Sequence, residues 1–420
     1  MQTFTYFFLA AVGFYFGFSW WLKQRHILHV RNHRQAVPPD FAADIPLAQH
    51  QKAADYTIAK SRFAQVSLAY ETLLLLAWTL GGGLGYLNQW LQAADLDPLW
   101  TGVWFIVGVL TLQTLLHVPL SYYSTFVIEQ RFGFNKTTKK LFVTDLVKGL
   151  VLNLLILVPL SWVVLWIMSI AGSLWWLYVW VVILLFQFFI TWAYPIFIAP
   201  LFNKFIPLED AELKARIESL LDECGFKSKG VYVMDGSRRS AHGNAYFAGM
   251  GNSKRVVFFD TLLKQLDAAE IEAVLAHELG HFRLKHIIKG FVQLSVLSLL
   301  LLAILGWMID KPWFYADMHL GVDSGNHTAI MLFIMIVPVF TFLLEPLISF
   351  VQRKYEFEAD NFAARKRGPD RLINALVKLN RENAATVTPD PIHSMIYDSH
   401  PPAPVRIDNL KKFKPQPSPA

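Results

Sequence analysis

Apolar runs of about twenty residues recur along the chain, each sufficient to cross roughly 30 Å of hydrocarbon. They fall at 4–22, 66–90, 101–121, 150–170, 174–194, 290–309 and 329–350. The first run, FTYFFLAAVGFYFGFSWWL, has no basic stretch before it and is followed directly by Lys23 and Arg25. That is the layout of an uncleaved anchor rather than a secretory signal. Glu71, Gln113, His117, Asn153, Gln187 and Gln293 interrupt the runs. Polar groups at this depth either bond across packed helices or face an interior water-filled space.

Between the runs the pattern changes. Residues 209–224 place Leu213, Ile217, Leu220 and Leu221 on one side of a charged amphipathic helix. VYVMD (231–235) and RVVFFD (255–260) read as strands, and the AYF between Gly243 and Gly249 offers a third, which predicts a small α+β unit. Asp267 and Glu270 form a D-x-x-E capping box, and Ile271, Val274, Leu275 and Leu279 supply the buried face of the helix it opens. The helical pattern runs on through HELGHFRLKH towards the sixth apolar run. After the seventh, ISFVQRKYEFEADNFAARKRG is helical up to Gly368-Pro369. The expected organisation is five spans in 1–194, a first polar part in 195–289, two spans in 290–350, a second polar part in 351–410, and a disordered tail at 411–420.

Composition agrees with a polytopic membrane protein. Hydrophobic residues make up 54% of the 420 and charged residues 17%, with a mean hydropathy of +0.36. Soluble domains carry about 25% charged residues. Disorder is excluded, because that state needs low hydrophobicity and high net charge. A net charge of +6 without a long basic run predicts no nucleic-acid partner. The single cysteine, Cys224, excludes a disulfide framework and a multi-cysteine metal site. Loop charges set an orientation. The loop 23–34 carries Lys23, Arg25, Arg31 and Arg34, and 122–149 carries Arg131, Lys136, Lys139, Lys140 and Lys148 against Glu129 and Asp145. Acids dominate 91–100 and 310–328. Enrichment of Lys and Arg on the cytoplasmic side puts the N-terminus outside and both polar parts in the cytoplasm.

The chemistry centres on His277-Glu278-Leu279-Gly280-His281. Residues four apart on a helix share a face, so two imidazoles can chelate one Zn²⁺ while the adjacent Glu278 acts as general base towards a water. A charged, solvated helix face would produce the same letters. A catalytic zinc needs a third protein ligand. The eleven-residue extension with a third histidine fails, since Ile287 stands at that position, and His286 falls off the chelating face. Glu356 in the EFEAD segment is the expected third ligand, with Asp360 on the same face holding a ligand histidine in its tautomer. Glu358 lies about 200° round the helix from Glu356. The alternative is that these acids pair at the surface with Arg353, Lys354 and Arg365.

IEQRFGFNKTT (128–138), PIFIAPLFNKFIPL (195–208), SRRSAHGNAYFAGMG (237–251), the HELGH helix, EFEAD and SHPPAPVRI (399–407) follow one another over most of the chain. Together they resemble the type-I CAAX prenyl endopeptidase family of membrane zinc metalloproteases. The resemblance implies a multi-pass α-helical membrane protein, with seven transmembrane helices around a chamber and a small α+β gluzincin-like zinc protease domain on the cytoplasmic side. It implies one Zn²⁺ per chain and a peptide or prenylated C-terminal peptide as substrate. It also implies that Asn244 contacts substrate from an edge strand and that His400 and Arg406 lie near the metal. Without it, Asn244 would read as a turn residue, His400 as a loop histidine and Arg406 as an ion-pair partner. The direct run from FFDTLL into the zinc helix is similar to bacterial relatives, and a monomer is expected. Two other readings stand: a quality-control membrane protease with no lipid requirement, and a transporter with a structural zinc. Structural zinc sites are usually closed by four protein ligands, so a three-ligand set favours catalysis.

Overall fold

The computed structural model describes residues 3–248 and 254–414. Among these, six helices are long and apolar enough to cross a membrane, and a helix pair bent by 47° makes a seventh. In chain order the membrane elements begin with α1 (Thr3–Asn32), α2 (Leu47–Trp78), α3 (Gly83–Gln92), α4 (Pro98–Phe132), α5 (Lys139–Ile170) and α6 (Gly172–Phe202). The apolar run at 66–90 falls on this bent pair. Gly82, at φ +77, sits at the break, a left-handed conformation that glycine takes without a Cβ clash.

The polar part follows with β1 (Phe205–Pro207), α7 (Ala211–Glu223), β2 (Val231–Met234), β3 (Ala245–Ala248), β4 (Arg255–Phe259), α8 (Asp260–Gln265) and α9 (Ala268–Arg283). The last two spans are α10 (His286–Met308) and α11 (Asn326–Arg367), the latter tightening to a short turn at Phe342–Leu344. The chain ends with α12 (Pro369–Glu382), α13 (Pro391–Tyr397) and α14 (Ala403–Lys411).

The spans form a ring in which α1 touches α2, α2 touches α4, and then α5, α6, α10 and α11 follow, with α11 returning to α1. One end of the ring is filled. Val103, Phe105, Leu165, Met168, Trp175, Leu305, Met308, Leu332 and Ile336 form a buried core there, drawn from the span ends farthest from the polar part. Between that plug and the polar part, Glu71, Gln113 and His117 line a cavity of about 290 Å³ with Tyr15 and Pro338. Both readings for polar groups at depth apply here: the three side chains line this space, and His117 Nε2 faces Glu71 Oε1 across α2 and α4 at 3.9 Å.

A second core belongs to the polar part. It joins Leu213, Ile217 and Leu220 of α7, Val256 and Phe258 of β4, Ile271, Leu275 and Leu279 of α9, Ala363 of α11, and Leu372, Ala375, Ile407 and Leu410 from the C-terminal helices. The sheet has four strands in the order β1-β2-β4-β3, with β2 and β4 parallel and both outer pairings antiparallel. The sequence suggested two or three strands; the one it did not offer is β1. β1 spans three residues ending in proline, too short for a period-two pattern to register.

Two further expectations are corrected. The helix of HELGH does not run into the sixth span: Lys285 takes φ +60 and separates α9 from α10. The expected disordered tail does not begin at 411, because α14 continues to Lys411 and Phe413 packs on the core. Residues 415–420 of that expectation lie outside the described residues.

α9 and α11 cross at Gly280 and Ala359, where a methyl added to Gly280 would lie 2.9 Å from the Ala359 Cα. Real side chains do not approach backbone that closely, so the crossing requires glycine here. Gly280→Ala forces the helices apart and should cost about 1–3 kcal/mol, the usual range for overpacking. A lowered midpoint of thermal unfolding in detergent checks it; an unchanged midpoint contradicts the crossing.

Candidate metal centre

α9 is fixed at its start by the full capping box. Asp267 Oδ1 accepts from the Ala269 and Glu270 amides, and Glu270 Oε2 accepts from the Asp267 amide. Ile271, Leu275 and Leu279 then bury one face, which turns His277 and His281 towards α11. α11 brings Glu356 and Asp360 to the same place from its own consecutive turns.

The nitrogen atoms His277 Nε2 and His281 Nε2 stand 3.2 Å apart. Glu356 reaches both, with Oε2 3.4 Å from His277 Nε2 and Oε1 3.2 Å from His281 Nε2. These three residues are the one group of potential metal ligands among the described residues, with donor atoms within 4.8 Å of one another. Glu356 Oε2 is buried without a hydrogen-bond partner. A buried carboxylate oxygen left unsatisfied is costly. Two imidazole nitrogens and that oxygen form a donor set suited to a divalent ion such as Zn²⁺.

Behind this set, His277 Nδ1 donates to Asp360 Oδ1 at 2.8 Å. Arg406 holds Asp360 from the other side, with Nη2 2.6 Å from Oδ1 and Nε 2.9 Å from Oδ2. Its Nη1 lies 3.6 Å from Glu356 Oε2. The surface-acid alternative for the EFEAD segment does not hold for Glu356 and Asp360, which are 5% and 0% exposed. Arg353 instead donates to the Ser394 and Asp398 carbonyls.

Of the other expected residues, His400 and Arg406 reach Glu356, Glu278 follows His277 on α9, and Asn244 precedes β3. Glu278 is half-buried on α9, and no hydrogen bond among the described residues holds its carboxylate. His400, with a side chain 66% exposed, places Nε2 3.3 Å from Glu356 Oε1. Arg406 is buried, and its guanidinium is taken by the two carboxylates. Asn244 is exposed at the start of β3, an outer strand packed beside α9; its side-chain carbonyl accepts from the Ala245 amide at 2.8 Å.

The segment entering β3 is braced by the 128–138 motif. Tyr56 donates to Glu129 Oε1 at 2.5 Å, His242 Nε2 lies 3.5 Å from Glu129 Oε2, and the His242 ring stacks on Phe134. A single bridge pairs Asn135 with Ser240. Sequence reading did not find this brace, nor that His286 returns to the site, with its Nδ1 3.0 Å from His281 Nδ1. Helical periodicity places His286 off the face, and only the backbone break at Lys285 brings it back.

Known proteins resemble this chain over most of its length. Residues 26–204 match the family model described as CAAX prenyl protease N-terminal, five membrane helices, and residues 207–414 match Peptidase family M48. The chain belongs to peptidase family M48. This M48 chain is 34% identical to CAAX prenyl protease 1 homolog of Oryza sativa subsp. japonica, covering 91% of this chain and 93% of that protein. It is 32% identical to CAAX prenyl protease 1 of Saccharomyces cerevisiae, covering 89% and 88%. The crystal structure of S. mikatae Ste24p superposes with a TM-score of 0.90 at 31% identity, over 98% of this chain and 99% of that one. The protein is a multi-pass membrane metalloendopeptidase.

Before a metal binds, burial and Arg406 lower the His277 pKa, but the Asp360 and Glu356 carboxylates beside the ring outweigh them and raise it to about 9. The ring therefore carries a proton at pH 7 that a metal must displace. A raised pKa means this ion pairing is fully present below the ordinary histidine pKa near 6.5 and is lost as pH rises through about 9. Each zinc bound at pH 7 should release about one proton, and apparent zinc affinity should rise ~10-fold per pH unit up to about pH 9. Calorimetry in buffers of different ionisation enthalpy reads the proton directly; pH-independent affinity would contradict the charged ring.

Proposed function

We propose that the chain hydrolyses peptide bonds near the C-terminus of membrane-associated peptides, with prenylated CAAX-type peptides as the substrate class. The observation that carries the reading is the convergence of His277, His281 and a buried Glu356 oxygen that no hydrogen bond holds, with the Glu278 carboxylate next to His277 on α9. His277 Nε2, His281 Nε2 and Glu356 would hold one Zn²⁺, which supplies Lewis-acid polarisation when bound. Glu278 takes the proton from the attacking water and returns one to the leaving amine. His400 Nε2, at the open side of the site, donates to the oxyanion that develops on the scissile carbonyl. Asp360, clamped by Arg406, keeps the proton of His277 on Nδ1. Arg406 itself is committed to these carboxylates, so we read it as a positioning residue rather than a substrate contact.

Substrate binding is assigned to β3. Its outer edge pairs with no described strand, so an extended peptide can add there by main-chain hydrogen bonds, with Asn244 at one end. Prenyl specificity is supported by the names of the relatives, CAAX prenyl proteases of yeast and plants.

The catalytic part is assigned to the cytoplasmic side. Both basic loops dock on it, through Arg25 to Asp390 and Asp145 to Arg239. The face richest in Lys and Arg and the face bearing the site are therefore the same, and that face is cytoplasmic by the charge rule.

Glu278→Gln removes the base while preserving the helix. It should lower kcat by 10²-fold or more, with zinc content unchanged, since general-base groups contribute about 10²–10⁴-fold. Undiminished cleavage by the zinc-loaded variant would remove Glu278 from that role. One peptide assayed with and without a farnesyl group tests the substrate class. We expect a higher kcat/KM for the farnesylated form; equal values would favour a quality-control protease acting without a lipid requirement.

A further inference from the structure

The two ligand histidines are not supported alike. His277 has a carboxylate directly behind it, Asp360. Behind His281 stands a second histidine. His281 Nδ1 and His286 Nδ1 are 3.0 Å apart, and His286 Nε2 is 3.0 Å from Glu358 Oε2. His286 is buried, and its ring lies flat on Tyr355 at 4.2 Å with an interplanar angle of 12°. Glu358 is partly exposed, on the turn of α11 that also carries Tyr355.

The protons in this chain can be assigned by exclusion. An ionised carboxylate only accepts, so His286 donates from Nε2 to Glu358. A neutral His286 then has a bare Nδ1. Two Nδ1 atoms at hydrogen-bond distance need one proton between them, and it must belong to His281. His281 is left with a bare Nε2, the atom that faces His277 Nε2 and Glu356. Asp360 likewise holds a proton on His277 Nδ1, so Nε2 is the atom that His277 offers once a metal displaces its other proton.

We infer that His286 and Glu358 form a relay that fixes His281 as an Nε2 metal ligand, the counterpart of Asp360 behind His277. They are positioning residues, acting on the metal through His281. The backbone is shaped to this end. Five residues along a continuous helix, His286 would point about 140° away from His281. Lys285 interrupts the helix at φ +60, a left-handed conformation that a side chain adopts at some cost, and returns His286 to its neighbour. Such strain persists where the surrounding structure uses it, and here it seats the relay.

The inference rests on the zinc site proposed above, and the test separates the two. Full-length protein in detergent is compared as wild type, His286→Phe, His286→Asn, Glu358→Ala and Glu358→Gln. Zinc affinity is measured by competition with a chromogenic chelator, and kcat and KM at saturating zinc. Phe keeps the stack on Tyr355 but removes both nitrogens; Asn restores an acceptor near the former Nδ1. We expect His286→Phe to weaken zinc binding about 10–100-fold and to lower kcat with KM little changed. His286→Asn should recover part of that loss. Glu358→Ala should weaken binding in the same direction, and Glu358→Gln, which retains an acceptor, should stay within about threefold of wild type. Should His286→Phe fail to fold, Glu358→Ala at its partly exposed position decides. Zinc held as tightly by His286→Phe and Glu358→Ala as by the wild type overturns the relay alone. A wild-type protein without zinc overturns the metal reading and the relay with it.

Discussion

Two carboxylates, Glu356 and Asp360, are buried at the crossing of α9 and α11 with one guanidinium, Arg406, to balance them. One negative charge is left over in a medium where an isolated ion is costly. In the metal-free protein a proton on His277 offsets it, which is why that ring holds its proton to about pH 9. A divalent cation bound by His277, His281 and Glu356 does the same more completely. The rest of the molecule can be understood as the scaffold that makes this uncompensated charge and keeps solvent access to one side of it, where His400 stands exposed.

Several local features serve that single crossing. Gly280 lets the helices approach to backbone contact. The capping box at Asp267 sets where α9 begins, and thus which residues face α11. Arg25 bonded to Asp390, and the ring of His26 stacked on that of His393, tie the first span to the short helix before the HPPAPVR segment. The 128–138 loop braces the entry to β3 through Glu129 and His242. The membrane ring and the peptidase part are thus joined at the points that fix the site, while the packed plug of the ring lies at its other end.

Much of this was legible in the sequence because it rests on periodicity. Imidazoles four apart, acids four apart in E-x-x-x-D, a D-x-x-E cap and apolar runs of span length all follow from helix geometry. The unread parts are those where the backbone departs from a period. The bend at Gly82 hides within an apolar run, and the three-residue β1 has no pattern to detect. The left-handed Lys285 carries no sequence signature, since lysine is an ordinary helix former. That one residue made His286 look misplaced and Glu358 look like a surface acid. His400 and Arg406 were placed by resemblance, since their partners Glu356 and Asp360 lie far from them in the chain; the Asn244 side chain bonds its neighbour Ala245, and its part in substrate binding rests on the resemblance.

X-ray absorption at the zinc edge, on purified full-length protein with its metal content quantified, tests the central claim most directly. The account predicts about one zinc per chain, with two imidazole nitrogens and a carboxylate oxygen at about 2.0–2.2 Å and a further light-atom position not filled by protein. Protein that is active yet free of zinc, or zinc coordinated without imidazole, would contradict it.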